Sequence, residues 1–259
     1  MKKNSEIRRE AFARLRQGRW FFRLLSVTLL FGALQQAAGG ALDFAFGRFG
    51  LQTWFDFLQA KAVAMQGGLD YAVPSRAIAA QMHQATAFWA FIMLIFAGMT
   101  YLAVSTSNLK AAEDDASSWG QTAFGALARP LGCAALAFVL ALRIALWSLL
   151  LVVPGIVAGY RYSQVWNVRA EHPDWRISQC FAESARLMEG RKMQRLRLDL
   201  SFMLPVIACV TVQLVAFQLQ SGAIVAAAGV VSVAAMVYVS LWMALARAVF
   251  YRAAKEDRR

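Results

Sequence analysis

Residues 143–202 read RIALWSLLLVVPGIVAGYRYSQVWNVRAEHPDWRISQCFAESARLMEGRKMQRLRLDLSF. An apolar run climbs to Pro154-Gly155, a pair that predicts a turn. The chain then descends through a segment studded with Tyr160, Arg161, Tyr162, Gln164 and Asn167. Ile177, Cys180, Phe181, Ser184, Leu187 and Met188 follow at helical spacing and predict an amphipathic helix over 177–189, with Gly190 where a C-terminal cap is expected. A basic run, Arg191–Arg197, precedes Asp199-Leu200-Ser201-Phe202, which opens the next apolar stretch. The pattern is that of a membrane hairpin followed by a surface helix.

The rest of the chain has the same character. Of its 259 residues, 59% are apolar and 16% charged, against roughly 45–50% apolar in soluble proteins. The apolar residues come in blocks that approach the ~20 needed to cross a bilayer. The expected architecture is all-α, a single integral membrane domain (1–259) forming a six-span transmembrane bundle with amphipathic interfacial helices. The spans are expected at about 20–46, 86–106, 130–153, 156–169, 198–219 and 223–246. A basic helix over 1–19, with Ile7, Ala11, Phe12 and Leu15 on one stripe, lies on the membrane face or packs on the protein itself. The longest polar connection, 47–85, holds an interfacial or re-entrant helix from Leu51 to Ala62 and a short second helix starting at Pro74. Pro205 is placed to kink the fifth span.

Net charge is +12, yet its distribution excludes nucleic acid as the expected partner. With the N-terminus inside, the segments 1–19, 107–129, 169–197 and 247–259 hold twenty-one Lys and Arg, and the outer loop 47–85 holds three. That asymmetry is the positive-inside pattern. It predicts both termini in the cytoplasm, contact with anionic lipids at that face, and a fourth span that returns the chain inside. Merging 131–169 into one crossing would put a basic segment outside.

Cys133, Cys180 and Cys209 have no pairing rhythm and read as buried hydrophobes. There is no H-E-x-x-H, phosphate loop or G-x-S-x-G, and the two histidines, His83 and His172, fall on opposite sides of the expected membrane. Neither a cofactor, a metal nor catalysis is expected. The functional candidates are polar groups within the membrane, because charge buried in lipid suggests a role by default. Arg143 and Arg161, in the outer half of the bilayer at depths about 6 Å apart, would join Tyr160, Tyr162, Gln164, Asn167 and Asp43 around an outward-facing cavity for a small anionic or amphipathic molecule. The structural alternative pairs both arginines with Asp43 and backbone carbonyls to link helices, with Gly155-x-x-x-Gly159 allowing close contact. Arg191, Lys192, Arg195 and Arg197 are the candidate surface for a protein partner or lipid; a homo-oligomer is also open, with no face assigned to it. A lipid-processing enzyme using Asp43 or Asp199 with an arginine is the third reading.

The segment Leu146–Leu151 leading to Pro154-Gly155-Ile156, then Arg161-Tyr162-Ser163, Glu183-Ser184, Leu187-Met188-Glu189-Gly190 and Leu198–Phe202 resembles a bacterial family of integral membrane proteins, domain of unknown function 975. Arg9-Glu10-Ala11, Leu15 and Gly18-Arg19-Trp20 resemble its opening, with Arg where Asn is commoner before the Trp. The resemblance implies a six-helix membrane protein and supplies no catalytic residue; the expected location is the bacterial inner membrane.

Overall fold

A computed structural model describes residues 2–40, 72–115, 125, 127–218 and 222–258. The elements are α1 (Asn4–Arg16), α2 (Gly18–Gly40), α3 (Ala72–Glu113), α4 (Pro130–Leu150), α5 (Val152–Arg161), α6 (Val165–Glu171), α7 (Ile177–Leu187), α8 (Lys192–Leu200), α9 (Met203–Gln218) and α10 (Gly222–Glu256). No strand occurs among the described residues. Five helical stretches are long and apolar enough to cross a bilayer: Gly18–Gly40, Trp89–Glu113, Pro130–Leu149, Lys192–Ala216 and Val225–Glu256. The protein is an all-helical, multi-pass membrane protein. Asp43, the expected helix over 51–62 and the side chain of His83 lie outside the described residues.

Prolines set several of these boundaries, though not as their positions suggested. Pro130 begins α4, and Pro74, Pro154 and Pro205 each occupy the third position of a helix. The first N–H groups of a helix have no intrahelical acceptor, so proline loses nothing there. Pro205 therefore sits in the first turn of α9, one turn past the Ser201-Phe202 break, instead of kinking a continuous span. The hairpin reverses at Leu151 (φ −166°, ψ 153°), three residues before Pro154. Gly155 lies inside α5 and serves packing: a Cβ there would fall 2.1 Å from Ser148 Oγ and 2.9 Å from Ser148 Cα. Gly159, its expected companion, has nothing within 4 Å of the corresponding point. A second close approach, between α3 and α4, needs Gly98, whose added Cβ would meet the Cys133 carbonyl oxygen at 2.6 Å.

Three boundaries differ from expectation. The short helix expected from Pro74 is continuous with the second span in the 42-residue α3, because no helix breaker separates them. The last span continues past Arg247 to Glu256, since RAVFYRAAKE buries Ala248, Val249, Phe250, Tyr251 and Ala254. The expected fourth span is divided: α5 has 10 residues, α6 has 7, and Tyr162–Gln164 form a turn between them. At about 1.5 Å per residue neither helix alone crosses a bilayer. Together they run back along α4, and Arg129 at the foot of α4 donates to the Pro173 carbonyl (2.7 Å) and pairs with Asp174 (2.9 Å) just beyond α6.

The densest core is at this same end. Ile7, Ala11 and Leu15 of α1 are buried with Leu109 and Ala112 of α3, Val168 of α6, Leu187 of α7, Leu198 of α8 and Leu245, Phe250 and Ala254 of α10. Thus α1 lays its stripe on the protein, where Trp242 Nε1 donates to the Arg8 carbonyl at 3.0 Å and Phe12 packs against Trp242. The start of α2 reaches the end of α3, where Arg19 (2.5 Å) and Trp20 (2.9 Å) both donate to Asp114 Oδ1. Away from this end the helices turn apolar side chains outward, including Leu149 (87% exposed), Val152, Leu214 and Val230. A continuous apolar surface of that kind is suited to lipid.

Candidate functional site

The turn between α5 and α6 sends the polar residues of this stretch in three directions. Gln164, the last residue of the turn, and Asn167, just beyond it, are buried in a hydrogen-bonded chain that ties together four helices, α3, α5, α6 and α7. Ser105 of α3 donates to Asn167 Oδ1, and Asn167 Nδ2 donates to Gln164 Oε1 at 2.7 Å. The Gln164 N–H meets Ser184 Oγ of α7 at 3.3 Å, and that hydroxyl donates to the Arg161 carbonyl at 3.1 Å. The last bond satisfies a carbonyl freed at the end of α5. This network holds the break in place and leaves little hydrogen-bonding capacity for a ligand.

Arg143, Arg161 and Tyr162 form the second group. The guanidinium carbons of Arg143 and Arg161 lie 5.5 Å and 5.7 Å from the Tyr162 ring centroid, so both side chains reach the same ring. Arg143 also sits 4.3 Å over Phe181 of α7, whose ring meets Tyr162 edge to face at 5.1 Å. The group is thus bound up with α7 on the basic side of the molecule, whereas an outward-facing cavity was expected. Its reason is the length of the arginine stem, which lets the charged head leave the apolar part of α4. Aromatic faces supply the attraction.

Tyr160 belongs to the third group, which carries the most unusual electrostatics. Arg195 of α8 has a side chain only 3% exposed. Its Nη2 stands 3.4 Å from Asp199 Oδ1, one turn on, and its guanidinium lies 5.7 Å from the Phe250 ring. Neither Nε nor Nη1 of Arg195 has a hydrogen-bond partner among the described residues. Arg247 of α10 donates from Nε to the same Asp199 oxygen at 3.3 Å, with its own side chain 42% exposed. The Tyr160 phenol, on α5, is within electrostatic range of all three. Two guanidinium groups face one carboxylate, leaving one positive charge in surplus. A buried donor without an acceptor costs about 1–3 kcal/mol, more when charged, so the cluster has the composition of an oxyanion site.

This arrangement corrects the reading of the basic run as a surface. Arg197 is exposed and Lys192 half-buried, but Arg191 and Arg195 are buried. Arg191 donates to the Ala254 carbonyl and to Asp257, both at 2.6 Å, fastening α8 to the end of α10. Helical spacing is the cause: Arg191, Arg195, Leu198 and Phe202 fall on one face, all buried. That stripe was a legible signal. Arg247 had none, because an arginine ending an apolar run ordinarily marks the membrane surface.

Outside the spans, the hydrogen bond from Trp20, with the nearby Arg19, lowers the Asp114 carboxyl below its ordinary range. Glu183 is likewise lowered by the hydrogen bonds from Arg186, at 2.7 and 2.8 Å. Among the described residues no three His, Cys, Asp or Glu side chains gather to hold a metal.

Residues 87–258 match the family described as "Protein of unknown function (DUF975)". No curated protein and no solved structure matches the chain. The match covers most of the chain, and the protein belongs to this family.

Proposed function

We propose that this DUF975 protein is a non-enzymatic protein of the bacterial inner membrane that binds a small anionic or amphipathic molecule between its helices. The observation that carries the reading is Arg195, buried, with two of its three nitrogens lacking an acceptor among the described residues, in a cluster with surplus positive charge. Natural proteins rarely leave such a group unsatisfied, and a bound oxyanion would supply the acceptors. The topology in this reading has six crossings, the fourth made by α5 and α6 in series, with both termini cytoplasmic. The contact of Arg129 with Pro173 and Asp174 supports the return of the hairpin, and the distribution of basic residues supports the orientation.

Two other readings fit less well. A partner-binding scaffold would need a free apolar face on α7, yet Cys180, Phe181, Ser184 and Leu187 are buried within the chain itself. For an enzyme, Asp199 would serve as base or nucleophile, but both arginines already engage it. Native mass spectrometry of the full chain in mild detergent, beside the Arg195→Met variant, tests the proposal. The expected result is an anionic adduct on the wild type that the folded variant lacks. A wild type free of any anionic adduct would defeat it.

A further inference from the structure

We infer that the ligand at Arg195 is the phosphate headgroup of an anionic phospholipid from the leaflet at the basic end, with its acyl chains on the adjoining helix surface. The inference rests on the anion-binding reading above and adds to it the source of the anion.

Arg195 lies three residues into α8 and Arg247 nine residues before the end of α10. At about 1.5 Å per residue these are some 5 and 14 Å from the polar end. The headgroup layer is about 5–7 Å thick on each side of the hydrocarbon, so Arg195 stands at the level of phosphate and ester groups, and the Arg247 side chain meets it there at Asp199. Arg247 is accessible enough to meet a ligand first, and the buried Arg195 beside it holds the unsatisfied donors.

On α5, the residues one to two turns farther from the polar end than Tyr160 are Val153, Ile156 and Val157, all exposed. On α9, which continues from Asp199 through the Ser201-Phe202 turn, Leu204 (75% exposed) and Ile207 also face outward. A soluble anion would reach a charge cluster lined by water. This cluster instead has Phe250 against its buried arginine and a lipid-facing apolar wall on the side away from the polar end. A ligand with a phosphate and two hydrocarbon chains matches both halves. Asp199 holds the two guanidinium groups on one carboxylate oxygen at 3.3–3.4 Å, which limits their mutual repulsion before the ligand arrives.

The test uses the full chain in nanodiscs of phosphatidylcholine alone or with phosphatidylglycerol, followed by release into mild detergent and native mass spectrometry, with and without inorganic phosphate. The expected result is one phosphatidylglycerol retained per chain, about tenfold or more preferred over phosphatidylcholine and not displaced by inorganic phosphate at about 0.15 M ionic strength. The preference is lost in Arg195→Met and reduced in Arg247→Gln, a substitution at a partly exposed site that leaves the fold intact if the first variant does not. Retention of inorganic phosphate without lipid preference would overturn the lipid inference and leave the anion site standing. Retention of neither would overturn both, as would a preference unchanged in the Arg247→Gln and Arg195→Met proteins.

Discussion

Replacing Gly155 by alanine strikes the closest contact in the α4–α5 hairpin. The new Cβ would lie 2.9 Å from Ser148 Cα and Cβ and 2.1 Å from Ser148 Oγ, where ordinary contact begins at 3.4 Å. The hydroxyl can rotate away, but the backbone of α4 cannot, so the helices must separate by about 0.5 Å, the shortfall at Cα. Overpacking of this kind costs about 1–3 kcal/mol. Alanine also gains about 1 kcal/mol in helix propensity over glycine, which would obscure the loss in a single measurement. Gly159→Ala supplies the reference, because it makes the same exchange in the same helix with nothing within 4 Å of the new atom. The propensity gain cancels in the comparison, and Gly155→Ala should be less stable than Gly159→Ala by about 1–3 kcal/mol. Unfolding in mixed detergent and SDS micelles, followed by circular dichroism, measures the difference. Adding Ser148→Gly to Gly155→Ala should recover part of it. Equal stability of the two alanine variants would mean that α4 and α5 are not packed through Gly155.

Asn167→Ala should destabilise the protein by about 1–3 kcal/mol in the same assay, because it strips Ser105 and Gln164 of their partners; a neutral result would remove the buried network as the clamp on the broken helix. Asp114 is depressed in the folded state by Trp20 and Arg19. Its stabilisation is therefore complete above the unfolded value near pH ~4 and is lost as pH falls through the lower folded value. The stability gap between wild type and Asp114→Asn should thus close on acidification, and a gap constant from pH ~6 to ~2 would contradict the pairing. For topology, single cysteines at Lys3, Leu151 and Arg258 in a chain lacking Cys133, Cys180 and Cys209 should label with an impermeant reagent from one side for the two ends and from the other for Leu151. Labelling of Lys3 and Arg258 from opposite sides would exclude six crossings.

Much of the fold was readable because membrane helices announce themselves by length and apolarity, and the hairpin did so by charge placement. What escaped was local. Leu151 carries no turn signature, so the nearby Pro154-Gly155 drew the reversal three residues too far on, although proline's comfort in a first helical turn pointed the other way. Arg247 reads as the end of a span, although the stretch it opens, RAVFYRAAKE, is a good helix former. At the site, the i, i+4 pair Arg195–Asp199 and the stripe from Arg191 to Phe202 were visible on one helix. Their burial depended on α10, some fifty residues later in the chain, and no local pattern encodes that pairing. Tyr160, Arg161 and Tyr162 stand out in the sequence as polar groups after an apolar run, but a continuous helix could not foretell the turn at 162–164 that puts Asn167 on a different helix from Tyr160.

The most direct measurement is an experimental density map of the protein purified from its membrane, inspected around Nε and Nη1 of Arg195. The expected density is an oxyanion within about 3.2 Å of those nitrogens, flanked by Arg247 and Tyr160 and continuing as lipid along α5 and α9. A protein carbonyl or carboxylate occupying both donors, with no ligand density beside them, would contradict it.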